Sequence, residues 1–410
     1  MLQNVSAPHI LNSPKAVAQL MAVASRAYEH VPFYRQRFAG LDFTSSMQLT
    51  DIPLLSKEDA RLAQNQLVRA DYKANQPGGF IDYTSGSTGI PLQLVHKQAE
   101  VMRCARNLWR ARAEHLPTVA EEVGVILFPT TQLNTTPVGT NPHKKGKVLL
   151  TTLDWDIERV SAYLDELDAL QPAWLHGPPA LLSILAESLR RNGRRLRRPL
   201  SFVESSDDWL SPAVRDLLAE TFQCRIVNHY GCQETYTIAY ECPQGKMHIF
   251  DDSVVVELHP HETGKHEIVV SSLIFETMPF IRYKVGDLIH LDEQPCRCGK
   301  SAPVLRQIEG RVSTVIAGTA LPGNHVFYQV VTWLAKAGFD SIQQYCVHQT
   351  SLHHFDVQLV LKDKKEFSTL TLLFREMANV WLPYATFAFE VVDTIEPTVR
   401  GKVQLFVCHV

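Results

Sequence analysis

Apolar and polar positions follow a helical period over the first part of the chain. In residues 14–38 apolar side chains recur every three to four positions, which predicts an amphipathic helix that Pro32 interrupts. Residues 54–59 have the pattern of a helix start, with Ser56 as the N-cap. Another helical pattern covers residues 97–116. We therefore expect the chain to begin with helices.

Short apolar runs alternate with longer helical patterns from about residue 100 to residue 230. The runs predict strands at residues 123–128, 148–153, 173–176, 200–204 and 225–229. The intervening patterns predict helices at residues 157–170, 179–192 and 212–222. Alternation of this kind predicts a parallel sheet of the α/β class.

The pattern changes twice in the remaining sequence. Strand patterns at 254–258 and 267–273 flank a polar turn at 260–265, which predicts an antiparallel β segment. Beyond residue 310 the predicted elements are three strands and two helices, at residues 342–347, 356–361, 387–392, 326–337 and 367–382. The last 100 residues, 311–410, therefore predict a separate small α+β domain.

The composition excludes several classes of function. The 410 residues include 45% apolar and 20% charged positions, which is ordinary for a globular protein. Forty basic and 43 acidic residues nearly balance, so nothing predicts binding to nucleic acid or to an anionic membrane. No apolar run reaches the length of a membrane span, and residues 1–13 lack a signal-peptide pattern. Eight cysteines without regular spacing predict a cytoplasmic location.

A stretch rich in glycine and hydroxyl groups, Tyr83-Thr-Ser-Gly-Ser-Thr-Gly-Ile-Pro91, has the composition of a phosphate-binding loop. Glycines permit positive φ and close approach of the backbone, and consecutive amides can cradle phosphate oxygens. The loop residues concerned are Thr84, Ser85, Gly86, Ser87, Thr88 and Gly89. No Gly-Lys-Ser/Thr follows, which excludes a Walker loop, and Ser87 lacks the flanking glycine of a nucleophile elbow. A polar surface turn is the alternative for this stretch alone.

Four further clusters contain side chains that suit a nucleotide. After a predicted strand, Tyr230 can pack on a purine, Gly231 allows close approach, and Glu234 offers a hard oxygen ligand for Mg²⁺. Asp287 follows Gly286 in a predicted turn, where its carboxylate can accept both hydroxyls of a ribose. Each cluster also has a structural interpretation without a ligand: Tyr230 as a buried tyrosine, Glu234 as a surface glutamate, and Gly286-Asp287 as an ordinary turn.

The other two clusters lie at the predicted domain boundary and near the C-terminus. Arg311 ends the sequence Ile308-Glu-Gly-Arg and can contact ribose or phosphate beside a hinge. Lys402 follows Gly401 on an exposed segment, from which it can reach a neighbouring domain. A solvated terminal lysine is the alternative.

These five stretches resemble, in order and spacing, the motifs of the adenylate-forming superfamily of acyl-CoA synthetases, firefly luciferase and nonribosomal peptide adenylation domains. Its phosphate loop corresponds to residues 83–91, and its Tyr-Gly-x-x-Glu and Arg-Tyr-x-x-Gly-Asp elements correspond to residues 230–234 and 282–287. Its hinge arginine corresponds to Arg311 and its terminal catalytic lysine to Lys402. The resemblance covers nearly the whole chain and is greatest to the phenylacetate-CoA ligase group.

The resemblance implies an α/β fold with a large N-terminal ATP- and acid-binding domain at residues 1–310 and a small mobile C-terminal lid at residues 311–410. It implies that a carboxylate attacks the α-phosphate of ATP, after which a thiol, usually that of coenzyme A, takes the acyl group. The catalytic residues implied are Lys402, Glu234 and Thr84, with Glu234 also binding Mg²⁺. The nucleotide-binding residues implied are Ser85, Gly86, Ser87, Thr88, Gly89, Asp208, Tyr230, Gly231, Asp287 and Arg311.

Three segments depart from the pattern of the family. Residues 311–314 lack the aspartates that usually follow the hinge arginine, which weakens the case for an ordinary domain rotation and for the thiol step. Residues 205–208 replace the usual Gly-Glu pair near the adenine, and residues 129–139 are polar where glycines are usual. The acid is therefore expected to be polar or heteroaromatic. The pocket candidates are Phe128, Trp174, His176 and Cys232.

A second kind of site is predicted by Cys242, His248, Cys296 and Cys298, which supply the four soft ligands of a closed structural Zn²⁺ site. Some members of the phenylacetate-CoA ligase group look the same here and hold zinc. Zinc would pin the β segment that carries Asp287. Two pairs of free thiols or a redox disulfide are the alternatives.

The sequence therefore predicts activation of an aromatic or heteroaromatic carboxylic acid by Mg-ATP and transfer to coenzyme A, with a place in secondary-metabolite or antibiotic biosynthesis. Loading of a carrier protein, or delivery of the adenylate to a reductase, is the alternative within the same class. A catalytically silent nucleotide-binding scaffold is the alternative outside it. A homodimer is the habit of the family.

Overall fold

The computed structural model describes residues 8–43, 47–73, 77–83, 92–129, 148–153, 157–207, 209–210, 212–261, 264–291, 296–311, 316–318, 323–339, 341–395 and 405–410. The chain divides into two compact units, Met1–Ile308 and Glu309–Val410. Binding of ATP and acid by the first unit, and movement of the second as a lid, remain predictions.

The helices are α1 Pro14–His30, α2 Pro32–Arg37, α3 Lys57–Ala63, α4 Gln98–Ala113, α5 Ile157–Leu170, α6 Pro179–Arg191, α7 Pro212–Phe222, α8 Gly323–Lys336 and α9 Phe367–Trp381. Short 3₁₀ helices cover Leu49–Asp51, Gln64–Leu67 and Lys364–Glu366. The strands of the first unit are β1 His9–Ile10, β2 Gly79–Tyr83, β3 Gln93–Lys97, β4 Gly124–Pro129, β5 Val148–Leu153, β6 Trp174–Gly177, β7 Phe202–Ser205, β8 Arg225–Cys232, β9 Tyr236–Glu241, β10 Met247–Ile249, β11 Val254–Pro260, β12 His266–Ser272, β13 Tyr283–Leu291 and β14 Val304–Arg311. The strands of the second unit are β15 Ile342–Ser351, β16 His354–Leu361, β17 Thr386–Val391 and β18 Phe406–Cys408.

Helix boundaries near the N-terminus follow local sequence. The Ser13 side chain accepts a hydrogen bond from the backbone of Ala16 and caps α1, which ends immediately before Pro32. The predicted interruption at that proline is therefore confirmed, because proline clashes with the carbonyl of the preceding helical turn. Ser56 and Asp59 form a capping box at the start of α3.

One 12-stranded sheet organises the first unit, in the order β1-β11-β12-β13-β14-β10-β9-β8-β7-β6-β4-β5. Strands β5, β4, β6, β7 and β8 run parallel, as the alternating sequence pattern predicts. Strands β1, β11, β12 and β13 pair antiparallel, which confirms the predicted antiparallel segment. Strand β8 joins the halves, because Asn228 pairs parallel with β7 and His229 pairs antiparallel with β9.

Both faces of the parallel half are covered by apolar side chains. Helices α5, α6 and α7 pack on one face through a core that includes Leu164, Leu185 and Leu218. Helix α4 contributes to a smaller cluster with Trp174 and Phe202. Burial on both faces explains why these strands appear in the sequence as continuous apolar runs.

A hairpin that the sequence pattern did not predict precedes α4. Strands β2 and β3 pair antiparallel from Gly79 opposite Lys97 to Tyr83 opposite Gln93. These strands bracket residues 84–91 of the glycine- and hydroxyl-rich stretch, which lie outside the described residues. Strands β9, β10, β13, β14 and β18 were also missed, because their sequences show neither a strict alternation nor a long apolar run.

The second unit is the predicted α+β arrangement. Its four strands have the order β17-β16-β15-β18, and helices α8 and α9 supply its apolar core. Phe327 is fully buried and stacks on Phe374 and Phe406, with ring centroids 6.1 and 5.7 Å apart. Among the described residues, no helix combines the length and the apolar character needed to cross a membrane.

Candidate functional site

Two hydroxyl–carboxylate contacts join segments that are far apart in sequence. The Tyr230 hydroxyl donates to Oδ2 of Asp287 at 2.7 Å. The Tyr283 hydroxyl donates to Oε1 of Glu234 at 2.8 Å. None of the four residues is more than 8% exposed. The structure therefore brings together Tyr230, Glu234 and Asp287, three of the residues that the sequence predicts at a nucleotide site.

Gly231 lies where the chain permits no side chain. A Cβ atom at this position would lie 1.8 Å from the carbonyl oxygen of Tyr236. The pairing of β8 with β9 shifts register between Tyr230 and Gly231, so the backbone bends at this point. Glycine is therefore required here by close approach of the next strand.

The predicted turn at Asp287 is wrong in its geometry. Asp287 lies inside β13 and not in a turn after a strand. Gly286 has a φ of 85°, so the strand is locally irregular immediately before the carboxylate. The strand continues through this glycine because glycine adopts positive φ at little cost.

Several predicted site residues cannot be placed. Residues Thr84, Ser85, Gly86, Ser87, Thr88 and Gly89, together with Asp208 and Lys402, lie outside the described residues. Arg311 is described only as the last residue of β14. Phe128 is likewise described only by its position in β4.

His96 anchors the hairpin against the strand that follows Glu234. Its ring lies 5.5 Å from Phe80, 5.1 Å from Tyr236 and 5.2 Å from Phe275, measured between centroids. The residue is 2% exposed, and burial lowers the pKa of His96 to about 4. His96 is therefore neutral at physiological pH and packs as an aromatic ring that fixes the hairpin.

A buried polar network that sequence reasoning missed surrounds Glu204 at the end of β7. Both oxygens of its carboxylate accept hydrogen bonds from Arg112, each at 2.8 Å. Nδ1 of His176 lies 2.6 Å from Oε1, and the Tyr240 hydroxyl donates to Oε2 at 2.6 Å. Glu204 is 0% exposed. These four contacts compensate the cost of burying an ionised carboxylate.

Two tryptophan rings pack against the guanidinium of Arg112, the cation that pairs with Glu204. The Arg112 guanidinium lies 5.2 Å from the ring centroid of Trp109 and 4.8 Å from that of Trp174. Burial opposes ionisation of Glu204, but the charges and hydrogen bonds of Arg112 and His176 hold its pKa well below the usual range. The sequence offered one indication, a single acidic residue within the apolar run of β7.

The pocket candidates fall into two separate clusters. Trp174 and His176 lie in the Glu204 network, and Trp174 stacks on Phe202 with centroids 5.8 Å apart. Cys232 instead packs against the core that contains Tyr230. Burial raises the pKa of Cys232 well above its ordinary value of 9.0, so the thiol stays protonated.

The four predicted zinc ligands converge. Their donor atoms, from Cys242, His248, Cys296 and Cys298, all lie within 4.8 Å of one another. The thiol sulfurs of Cys242 and Cys296 are 3.6 Å apart, and Sγ of Cys298 is 3.2 Å from Nε2 of His248. Tetrahedral zinc with bonds of about 2.3 Å to sulfur needs similar separations between ligand atoms.

The second shell of the cluster also fits a metal. Nδ1 of His248 lies 2.9 Å from the carbonyl oxygen of Ala302, so Nδ1 carries the proton and Nε2 is left as the ligand. The backbone amides of Gln244 and Cys298 donate to the sulfurs of Cys242 and Cys296. All eight cysteines are free in the structure.

A model of the AMP-binding enzyme family matches residues 40–256. A phenylacetate-coenzyme A ligase of Thermus thermophilus is 24% identical over 321 residues, which cover 73% of this chain and 70% of that protein. Protein CapK of Staphylococcus aureus is 23% identical over 63% of this chain and 57% of its own length. A crystal structure of 2-hydroxyisobutyryl-CoA ligase in complex with 2-HIB-AMP shares the fold, with a TM-score of 0.71, 17% identity, and coverage of 96% of this chain and 88% of that one.

Proposed function

The chain belongs to the AMP-binding enzyme family, in the phenylacetate-CoA ligase-like branch of the adenylate-forming superfamily, and we propose that it activates an aromatic or heteroaromatic carboxylic acid with Mg-ATP. The carboxylate attacks the α-phosphate, and a P–O bond to pyrophosphate breaks as the acyl-adenylate forms. The thiolate of coenzyme A then attacks the acyl carbon, and AMP leaves.

The observation that carries this proposal is the joining of Tyr230 to Asp287 and of Tyr283 to Glu234. Two of the predicted motifs, separated by about 50 residues, thereby hold two buried carboxylates in place. Each of these carboxylates accepts a hydrogen bond from a tyrosine hydroxyl, which fixes its orientation. Such an arrangement suits carboxylates held for an external ligand.

Each predicted residue has a distinct role in this proposal. Asp287 accepts the ribose hydroxyls, Tyr230 and Gly231 form one wall of the nucleotide site, and Arg311 contacts ribose or phosphate. Glu234 would hold Mg²⁺, which neutralises phosphate charge when bound, because a carboxylate oxygen is a preferred ligand of this ion. Lys402 bridges the substrate carboxylate and the phosphate. The remaining nucleotide contacts come from Thr84, Ser85, Gly86, Ser87, Thr88, Gly89 and Asp208.

Charge stabilisation and positioning account for the rate in this scheme. The amides and hydroxyls of residues 84–89 stabilise charge that develops on the pyrophosphate oxygens. Alignment of the acid carboxylate with the α-phosphate lowers the entropic part of the barrier. The Tyr283 hydroxyl orients the Glu234 carboxylate, which would hold the cation.

The aromatic character of the acid is supported by the name of the Thermus relative, a phenylacetate-coenzyme A ligase. Ligands of open α/β sheets bind beyond the carboxyl ends of the parallel strands, next to the strand at which the order changes. Coenzyme A as the acceptor is supported by the name of the Thermus relative. A carrier protein and a reductase are alternative recipients, and a silent scaffold is the non-enzymatic alternative.

Acid-dependent exchange of labelled pyrophosphate into ATP tests the first step. We expect exchange to require Mg²⁺ and one member of a panel of aromatic acids, because reversal of adenylation needs the bound acyl-adenylate. Addition of coenzyme A should then release AMP at a rate that depends on the thiol. A folded protein that binds ATP but supports no exchange with any acid would be a scaffold, and exchange without thiol-dependent AMP release would indicate another acceptor.

Zinc in the Cys242, His248, Cys296 and Cys298 cluster is the second part of the proposal. We expect about one zinc per chain by elemental analysis of purified protein, and a Cys298→Ser variant that holds less metal and has a lower melting temperature. The physical reason is that the cluster ties β10 to the segment after β13, so metal binding would hold these two segments together. Cys104→Ser is the control, because Cys104 is buried elsewhere. Metal well below one per chain would contradict the site.

Three further features complete the proposal. A cytoplasmic location fits eight free cysteines. A homodimer can be tested by light scattering. A role in secondary-metabolite or antibiotic biosynthesis depends on the identity of the acid, which the panel of acids would reveal.

A further inference from the structure

Six described residues other than glycine have a positive φ, and they fall into two groups. Three directly follow helices, where positive φ is common: Gln64, Gln171 and Gln223. The other three, Asp207, Tyr236 and Arg282, lie in or beside strands of the 12-stranded sheet. Arg282 directly precedes Tyr283, whose hydroxyl donates to Glu234, and Tyr236 lies two residues beyond that glutamate. Unusual backbone conformations therefore lie on both sides of the contact that orients the Glu234 carboxylate.

Arg282 is held in its conformation from every side. Its φ is 51°, which is unfavourable for a residue that carries a side chain. Its amide donates to Oγ of Ser271, and its carbonyl oxygen accepts from the amide of Leu55, each at 2.8 Å. Nε and Nη2 donate to the two oxygens of Glu257 at 2.9 and 2.7 Å, and Nη1 donates to the carbonyl oxygen of Ile52. A strained residue persists where its surroundings over-determine its conformation, and these contacts do so.

The conformation of Arg282 sets the direction of the Tyr283 side chain. Tyr283 is the first residue of β13, is 1% exposed, and forms a backbone bridge with Leu55. Its ring packs edge to face on Phe280, with centroids 5.0 Å apart. The ring is rigid and confined, so the backbone that precedes it decides whether the hydroxyl reaches Oε1 of Glu234, 2.8 Å away.

Two properties separate Arg282 from Arg112, which also makes a buried bidentate contact to a glutamate. Arg112 lies inside helix α4, whereas Arg282 is strained and adjacent to a residue that bonds to a predicted nucleotide-site carboxylate. A buried ion pair is often no more stabilising than apolar residues of the same volume. Stability alone therefore does not explain a strained arginine at this position.

We propose that Arg282 is a positioning residue, which holds Tyr283 in the orientation that directs the Glu234 carboxylate toward bound Mg-ATP. The inference rests on the proposed function, in which Glu234 would hold Mg²⁺, and it deepens that function. A carboxylate oxygen suits this ion, and the partners that orient such a ligand tune its affinity for the metal. The Arg282 side chain is 5% exposed and all three of its guanidinium nitrogens are bonded within the protein, so it acts through Tyr283.

The test measures the magnesium response, defined as the affinity for ATP with Mg²⁺ divided by the affinity without it, by calorimetric titration. The Mg²⁺ concentration that gives half-maximal pyrophosphate exchange is measured in parallel. The variants are Arg282→Lys, Tyr283→Phe and the double variant. Lysine keeps the charge of Arg282, but its single nitrogen cannot reproduce the bidentate contact to Glu257.

We expect Tyr283→Phe to lower the magnesium response about tenfold, because a metal-binding carboxylate loses the partner that orients it. Arg282→Lys should lower the response about fivefold while the affinity for ATP without Mg²⁺ stays within about twofold, since only the ligand of the cation is misdirected. The half-maximal Mg²⁺ concentration for exchange should rise in both variants. In the Tyr283→Phe background, Arg282→Lys should change the response by no more than about twofold, because the hydroxyl through which it acts is already absent.

Arg215→Lys is the matched control. Its guanidinium donates to both oxygens of Glu241, at 3.1 and 2.8 Å, and to the carbonyl oxygen of Ile226, so it repeats the contacts of Arg282 at the far end of β9 from Glu234. We expect its melting temperature to fall while the magnesium response stays at the wild-type value. Ser271→Ala is a milder second variant, which removes the acceptor of the Arg282 amide and should lower the response in the same direction as Arg282→Lys.

The outcomes separate this inference from the proposed function. A folded Arg282→Lys variant that melts at a lower temperature but keeps the wild-type response would make Arg282 a structural residue and overturn the inference. Effects of Arg282→Lys and Tyr283→Phe that simply multiply would also overturn it. A wild-type response of one overturns the assignment of Glu234 to Mg²⁺ and this inference with it. Absence of exchange with every acid overturns the proposed adenylation alone, because the response requires no turnover. If Arg282→Lys fails to fold, Ser271→Ala in both backgrounds decides.

Discussion

Replacing Lys402 with alanine is expected to lower the rate of acid-dependent pyrophosphate exchange by roughly 100- to 1,000-fold while ATP still binds. The lysine would act on charge that is shared by the acid carboxylate and the α-phosphate, and this arrangement exists only as the P–O bond forms. In the proposed scheme, ground-state binding of ATP has other contacts, among them Tyr230 and Asp287. The measurement is exchange in parallel with calorimetric titration of ATP.

A matched control is Lys365→Ala, which removes another lysine of the second unit. Lys365 is exposed and precedes α9. Its removal should leave exchange within about twofold, because the charge of a solvent-exposed lysine is screened by salt. Unchanged exchange in the Lys402 variant would contradict its assignment as the catalytic lysine, and loss of ATP affinity in step with exchange would assign it to binding instead.

Breaking the Arg112–Glu204 pair is expected to destabilise the first unit by about 3–5 kcal/mol. In Arg112→Met the carboxylate of Glu204 stays buried without its cation, and Trp109 and Trp174 lose the guanidinium between them. The side chains of the pair are 5% and 0% exposed, so solvent does not screen the loss. Urea unfolding, followed by tryptophan fluorescence, measures the change.

The double variant Arg112→Met/Glu204→Leu supplies the control. It removes both charges and should regain a large part of the stability, since apolar replacement of a buried ion pair is often neutral or stabilising. If the double variant is as unstable as Arg112→Met, lost packing of Arg112 and not an unpaired charge explains the effect.

The effect of pH on the stability of the wild-type protein and of Arg112→Met has a definite sign. In the folded chain the pKa of Glu204 lies well below its ordinary value of 4.5. The ionised carboxylate therefore contributes fully to the free energy of unfolding above pH 4.5, and this contribution is lost as the pH falls through the lower pKa of the folded chain. In Arg112→Met the uncompensated burial raises the pKa of Glu204. The deficit in stability of that variant should therefore shrink as the pH falls toward 4.5 and the carboxylate takes up a proton.

Local sequence was enough for elements with strong periodicity or clear boundaries. The proline after α1, the capping box of α3 and the apolar runs of the parallel strands each act within a few residues. Strands β9 and β13 of the antiparallel half were missed, and the pairing of each with the strand before it contains a register shift that the sequence pattern does not reveal.

The sequence by itself determined the family, the α/β class and the set of candidate ligands, because motif spacing and apolar periodicity are properties of the linear chain. It also determined which cysteines and histidine could bind zinc. Only the tertiary structure decided that Asp287 lies in a strand and meets Tyr230, and that Glu204 is shared by Arg112, His176 and Tyr240. Those contacts join strands and a helix separated by up to about 130 residues. Their energies depend on burial and distance, which become defined only when the sheet has formed.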